Sequence, residues 1–342
     1  MMSCNHGVGK SNAYLVSFFT LASPGIHSNY PHGFDTGSMP MKYCPIDGGN
    51  FGDDLNLLLW PRLFPDFHRL TSEFTVFGIG TLLDGHHDAV AKKIVLGSGL
   101  GEHACAKRDA SWEFRWVRGP LTARAFGITA ERALGDSALL WPELQKRRVN
   151  AQPGPIGLIP HYRTWDSFEW QKVGAMADMV IINPRQPPGQ VIDALRGCSR
   201  VLAESLHGGI CADALGVPWA PCVLAHRFNE FKWKDWMATI DRPFEPLVAD
   251  RPLVRHISRA KALANHAARW LHYKEDSRCP ALRPVAPATA VDVIAVAQSL
   301  KVFASQKRHF ACSSEAALAR QRRHMQDACH NFAQDYRLAF TP

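Results

Sequence analysis

The chain has 342 residues, 46% of them apolar, and a formal charge of +8 from 39 Lys and Arg against 31 Asp and Glu. That length points to two domains rather than one. No apolar run approaches the ~18–20 residues of a membrane span, and nine cysteines scattered singly, with no C-x-x-C, argue against a zinc site or a disulfide scaffold and for a reducing, cytoplasmic compartment.

Residues 1–38 stand apart. Lys10 precedes the apolar Ala13–Ala22, which weakly resembles a signal-peptide core, yet Ser17 and Thr20 interrupt it and no A-x-A site follows. Ser23–Met39 is rich in Gly, Pro, Ser, Asn and His and reads as loop, so 1–38 is expected to be a poorly ordered extension. From Met41-Lys-Tyr-Cys, the expected first strand, the pattern becomes α/β. Gly48-Gly-Asn-Phe-Gly-Asp-Asp54 reads as a glycine-rich turn before a helix over Leu55–Leu63. Strands follow at Phe74–Ile79, Lys93–Leu96 and Phe114–Val117, each running into glycine, then a helix from Pro120 to Phe126 and a further strand or strand end at Gly135–Leu140.

Lys146–Pro155, charged and then Pro/Gly-rich, reads as a linker. A second α/β run follows. It has strands at Ile156–Pro160, Met179–Ile182 and Trp219–Leu224 and helices at Phe168–Ala177, Gln190–Arg196 and Phe231–Thr239. Between them lies Arg200-Val-Leu-Ala-Glu-Ser-Leu-His-Gly-Gly-Ile-Cys-Ala-Asp-Ala-Leu-Gly-Val-Pro218: a short strand, a tight turn over Ser205–Gly209, and a helix over Ile210–Leu215. The three aromatics of Phe231–Thr239 read as core packing. Val291–Phe303 and Ser314–Phe340 have helical periodicity, the second with Leu318, Met325, Ala328, Phe332 and Tyr336 in one stripe and Arg320, Arg322, Arg323 and His324 opposite. Such a basic amphipathic helix suits peripheral contact with a membrane surface, or packs its stripe against the first domain. The expected fold class is therefore α/β, with domains at 39–148 and 149–285 and C-terminal helices over 286–342.

In parallel α/β sheets ligands gather at the carboxyl ends of the strands. Two such halves facing each other place Asn50, Asp53, Asp54, Thr81, Gly97, Ser98, Arg118, His161, Arg185, Ser205 and His207 on one cleft. Guanidinium forks suit carboxylate and phosphate oxygens, and histidines beside them can move protons near neutral pH. Taken singly the residues are equally at home as helix caps, turn closers and a packed histidine. There is no Walker A, G-x-G-x-x-G, H-E-x-x-H, EF-hand, G-x-S-x-G or nucleic-acid motif, and no metal cluster is evident.

Ser205-Leu-His-Gly followed by Ile210-Cys-Ala-Asp-Ala-Leu-Gly-Val-Pro218 resembles the hallmark of the polysaccharide pyruvyl transferase family. Gly49-Asn-Phe-Gly-Asp-Asp-Leu-Asn56, Gly78-Ile-Gly-Thr81, Gly97-Ser-Gly99, Arg118-Gly-Pro-Leu-Thr122, Gly135-Asp136 and Ile159-Pro-His-Tyr162 match in order. The resemblance covers roughly residues 41–240 and is strongest to the exopolysaccharide and succinoglycan type. It departs at Ser137, where a proline usually follows Gly-Asp, and finds no counterpart for 1–38.

The resemblance implies two Rossmann-like domains facing a cleft, as in the glycosyltransferase-B fold. The implied reaction moves the enolpyruvyl group of phosphoenolpyruvate onto two hydroxyls of a sugar as a cyclic ketal and releases phosphate. Phosphoenolpyruvate is the donor substrate, and no cofactor or metal is called for. The resemblance implies an acceptor that is a sugar of an exopolysaccharide or its precursor, with lipid-linked intermediates at the inner face of the cytoplasmic membrane the expected form. In this reading His207 is the general acid; Arg118 and His161, with Ser205, Arg185 and the backbone at Leu206–Gly208, hold the anion. Asp53 or Asp54 orients or deprotonates the acceptor hydroxyl, beside Asn50, Thr81 and Ser98. The competing readings are a nucleotide-sugar glycosyltransferase on the same fold and a non-catalytic binder of an anionic polysaccharide.

Overall fold

Short strands alternating with helices collect into two sheets, and every pairing between their strands is parallel. The computed structural model describes residues 40–43, 46, 48–70, 74–84, 92–101, 108–147, 153–225, 228–253 and 288–342. The expected extension at 1–38 and the middle of the expected linker lie outside these residues.

The first sheet has β1 (Phe74–Phe77), β2 (Lys92–Leu96) and β3 (Trp112–Trp116) in sequential order. Alternation along each strand divides the side chains between two faces. Val76 and Ile94 enter one core with α1 (Phe51–Leu63), joined by Trp116, which the β2–β3 register shift after Val95 turns to that face, while Phe77, Val95, Trp112 and Phe114 enter another with Ala123 and Phe126. Helix α2 (Pro120–Ala125) starts with proline at its first position, where no N–H is needed, and Gly127 follows it at φ +60°. A short helix α3 (Pro142–Gln145) closes this half.

The second half contains β4 (Ile156–Ile159), α4 (Tyr162–Trp165), α5 (Trp170–Ala177), β5 (Val180–Ile181), α6 (Pro188–Gly197), β6 (Arg200–Ala203), α7 (Leu206–Leu215), β7 (Trp219–Ala225), α8 (Glu230–Met237) and β8 (Leu247–Leu253). Its strand order is β5-β4-β6-β7-β8. The winding direction reverses at β4, so a crevice opens between the carboxyl ends of β4 and β6, where doubly wound sheets bind ligands.

Two long helices complete the described residues. Helix α9 (Ala290–Ser305) starts in a capping box between Thr289 and Asp292 and packs Val296, Leu300 and Phe303 with α5 on the second sheet. Helix α10 (Glu315–Tyr336), capped by Ser314, returns to the first sheet. Its Leu318, Met325 and Phe332 are fully buried with Trp60 and Phe64, and the Phe64 and Phe332 rings meet edge-on at 5.3 Å.

Several local expectations are corrected. Ser205–Gly209 is no tight turn but the cap and first turn of α7, because the Ser205 hydroxyl accepts the Gly208 N–H. The glycines there answer crowding: a Cβ at Gly208 would lie 2.5 Å from Ile159 Cγ2. Helix α1 begins at Phe51, so Asp53 and Asp54 stand on its first turn rather than in a loop. Met41 makes only a single bridge to Val76. Residues 135–140 are not extended: Gly135 has φ +114°, and Asp136 then caps a 3-10 helix over Ser137–Leu140. Arg322 is not on a solvated basic face but buried, donating to the carbonyls of Leu139 and Leu144. Strand β8 escaped the sequence reading because Pro252 interrupts its pattern, which an edge strand tolerates.

Candidate active site

The carboxyl ends of both sheets and the first turns of α1 and α7 meet in one place. Phe51 N–H donates to Pro184 O at 3.0 Å, and a Cβ on Gly49, held at φ +88°, would lie 2.6 Å from Arg185 O. This contact docks the start of α1 on the loop after β5. On the other side, Asp235 of α8 accepts from the Thr122 N–H at 2.9 Å and the Thr122 hydroxyl at 2.6 Å, which fastens α8 to α2.

Between these fastenings stands His207. Its ring lies so close to Gly52 that a Cβ there would be 2.0 Å from Nδ1, and it meets Phe51 edge-on. On its far side, Nε2 is 3.6 Å from Oδ2 of Asp136, and neither atom has another hydrogen-bond partner among the described residues. The geometry is an imidazole backed by a buried carboxylate, with a contact length ordinary for a catalytic pair without substrate. Burial alone would raise the Asp136 carboxyl. The His207 imidazole, the Ala138 N–H and the nearby Arg118 outweigh it and hold Asp136 below the usual carboxylate range.

The structure separates the two neighbouring aspartates. Asp54 turns inward and accepts from the Tyr43 hydroxyl at 2.5 Å and the Asn50 N–H at 3.3 Å. Asp53 faces the site and accepts from the Asn50 side-chain amide at 2.7 Å. Burial pushes its carboxyl above the usual value, offset only in part by His207, Asn50 and Lys232.

The crevice between β4 and β6 supplies the other wall. His161 follows β4; its N–H donates to Oε2 of the buried Glu204 at 2.8 Å, and Thr164 Oγ1 donates to the same oxygen at 2.6 Å. Burial pushes Glu204 upward. His161 Nδ1 accepts the Arg163 N–H at 3.2 Å, and Nε2 faces Lys232 Nζ of α8 at 3.4 Å. Burial and the adjacent charges of Lys232 and Arg163 push His161 well below the imidazole range, so the ring is neutral at neutral pH. By construction the start of α7 leaves the N–H groups of Leu206 and His207 without intrahelical acceptors.

The remaining expected residues stand in supporting positions. Arg118 is fully buried, donating to Thr81 Oγ1 at 3.1 Å and Leu100 O at 2.7 Å, with Nε 3.6 Å from Asp235. It reaches the site through its charge, which bears on both Asp136 and Lys232. Ser98 is buried with its hydroxyl on Gly80 O, and Ser205 caps α7. Arg185 pairs with Asp166 at 2.6 Å at the α1 docking loop. Asp136, Glu204, Lys232 and Asp235 were missed as site residues. Gly135-Asp136 stands in the sequence as a motif alone, and the others sit in stretches that read as strand and aromatic core. Among the described residues no group of three or more His, Cys, Asp or Glu is placed to hold a metal ion, and no helix is long and apolar enough to cross a membrane.

A family model described as polysaccharide pyruvyl transferase matches residues 30–226. The chain belongs to the polysaccharide pyruvyl transferase family. Among relatives of this family, the succinoglycan biosynthesis protein ExoV of Rhizobium meliloti (strain 1021) is 34% identical over 238 residues, covering 68% of this chain and 73% of ExoV. No solved structure matches the chain. The family match spans both sheet ends and the first turns of α1 and α7, and ends before α8, so Lys232 and Asp235 lie outside it.

Proposed function

We propose that this transferase moves the enolpyruvyl group of phosphoenolpyruvate onto a sugar of an exopolysaccharide or its precursor, forming a cyclic ketal and releasing phosphate. The observation that carries the reading is the juxtaposition of the His207–Asp136 pair, 3.6 Å apart, with Asp53 and the cationic wall of the β4/β6 crevice, in a chain of this family. The donor carries a carboxylate and a phosphate, and Lys232, Arg163, Arg118 and the start of α7 are the complementary features. The two sheets act as two Rossmann-like halves of a glycosyltransferase-B-like enzyme.

His207 delivers a proton to the methylene carbon of the enol phosphate, while Asp136 orients the ring. The cation that develops at C2 takes a sugar hydroxyl. Asp53 receives that hydroxyl's proton, and its raised carboxyl makes it a stronger base than a solvated aspartate. Departure of phosphate restores the cation at C2, the second hydroxyl attacks it, and that hydroxyl's proton leaves on the phosphate as the ketal closes. No cofactor takes part. The acceptor is met as a lipid-linked intermediate at the inner face of the cytoplasmic membrane.

The test is a coupled phosphate-release assay with phosphoenolpyruvate and a panel of exopolysaccharide repeat-unit glycans, beside a thermal-shift comparison of phosphoenolpyruvate with nucleotide sugars. Ligands that bind the folded state raise its apparent stability. Phosphate release with acceptor, and a shift with phosphoenolpyruvate alone, is the expected result. A shift with nucleotide sugars instead would identify a glycosyltransferase.

A further inference from the structure

His161 and Lys232 face each other in an unusual way. His161 Nδ1 is taken as an acceptor by the Arg163 N–H at 3.2 Å, so a neutral ring carries its proton on Nε2. That N–H then points at Lys232 Nζ, 3.4 Å away, which as an ammonium has donors and no lone pair to accept with. Two donors converge with no acceptor between them. Lys232 sits at the start of α8, held in place by the Asn229 cap on its own N–H at 3.1 Å and by the Asp235–Thr122 fastening one turn on. The pair lies over the carboxyl end of β4, beside the reversal point of the second sheet.

We propose that Lys232 and His161 form a paired-donor clamp for a phosphoryl group, with Lys232 a substrate-binding residue supplied from outside the family's matched region. The proposal rests on the reading that the donor substrate is a phosphate ester. One oxygen of the anion would accept from His161 Nε2–H and the same or a second oxygen from the Lys232 ammonium. The clamp leaves the carboxylate of the donor to the start of α7.

The charged groups around Lys232 come from every neighbouring element: Arg163 and His161 from the β4 side, Arg118 after β3, Asp53 on α1 and Glu204 after β6. Burial first, then Arg163 and Arg118, lower the Lys232 ammonium to about 8, against the opposing pull of Asp53 and Glu204. Anion binding is therefore expected to weaken as pH rises through that value in the free enzyme.

The experiment titrates inorganic phosphate, and separately phosphoenolpyruvate, into the full-length wild type, Lys232→Met, Lys232→Arg and His161→Asn by calorimetry at pH 7 and pH 9. Removing one charge-assisted hydrogen bond is expected to weaken phosphate binding about 10- to 100-fold in Lys232→Met, and less in His161→Asn. Lys232→Arg, which stays charged, is expected to keep binding at pH 9, where the wild type loses it. Thermal melts of each variant report whether it folds. Equal phosphate affinity in wild type and folded Lys232→Met overturns the clamp. So does a wild type that binds no phosphate, which is the result of a pair satisfied internally, with neutral Lys232 accepting from His161. Lys232-dependent binding of phosphate without any turnover of phosphoenolpyruvate keeps the clamp and rejects the donor.

Discussion

His207 is held between a glycine and an aspartate, and each neighbour makes a separate prediction. Alanine in a helix ordinarily stabilises relative to glycine. At Gly52 the added carbon would meet the imidazole at 2.0 Å, so Gly52→Ala is expected to displace His207 and cost on the order of 10²-fold in transfer while the chain stays folded. His207→Ala is expected to lose about 10²–10⁴-fold in phosphate release. Asp53→Asn makes a prediction of opposite sign for stability. The Asp53 carboxyl is raised in the folded chain, so above the ordinary carboxylate range its charge opposes folding. The variant is expected to melt higher than wild type at neutral pH, with the gain vanishing in acid where both forms are neutral, and to lose transfer activity; melting curves across pH check it. The sequence placed His207, His161 and the aspartate pair at the cleft. It left Asp53 and Asp54 as equals, because neighbours on a helix diverge by about 100° and only the helix start tells which faces the ligand. Lys232 and Asp136 were not legible as site residues because their partners lie 71 residues away in both cases, in other elements.

At the scale of elements, α8 is the joint between the halves. Asp235 is wholly buried, with Thr122 on one side and the Arg118 guanidinium on the other. Asp235→Ala leaves a buried cation and two donors without a carboxylate, and is expected to destabilise by about 3–5 kcal/mol in denaturant unfolding. Most elements were legible from glycines at strand ends and from apolar periodicity, and the parallel winding followed from their alternation. The errors fell where side-chain caps decide the backbone. Ser205 and Asp136 each turn an expected extended or looped stretch into a helical one, and a hydroxyl or carboxylate reads alike in either role. Strand β8 shows the other limit, since its position at the sheet edge is a property of the assembled sheet.

In the whole molecule, the chain's last helix belongs to its first sheet. Phe332→Ala is expected to cost about 3–5 kcal/mol, because the ring is fully buried against Phe64. Ending the chain after Ser313 is expected to unfold the first half outright, read as loss of the near-ultraviolet tryptophan signal. The sequence allowed this helix two uses, a membrane surface or the first domain, and its apolar stripe could not choose between them until the sheet it covers was in view. Its position also fixes an order of events during synthesis. Phe332 leaves the ribosome about 270 residues after Phe64, roughly 15–50 s later at ordinary elongation rates. Over that interval the first sheet carries Trp60 and Phe64 uncovered, so the N-terminal half is the part that chaperones would meet, and it matures only once the last helix has been made.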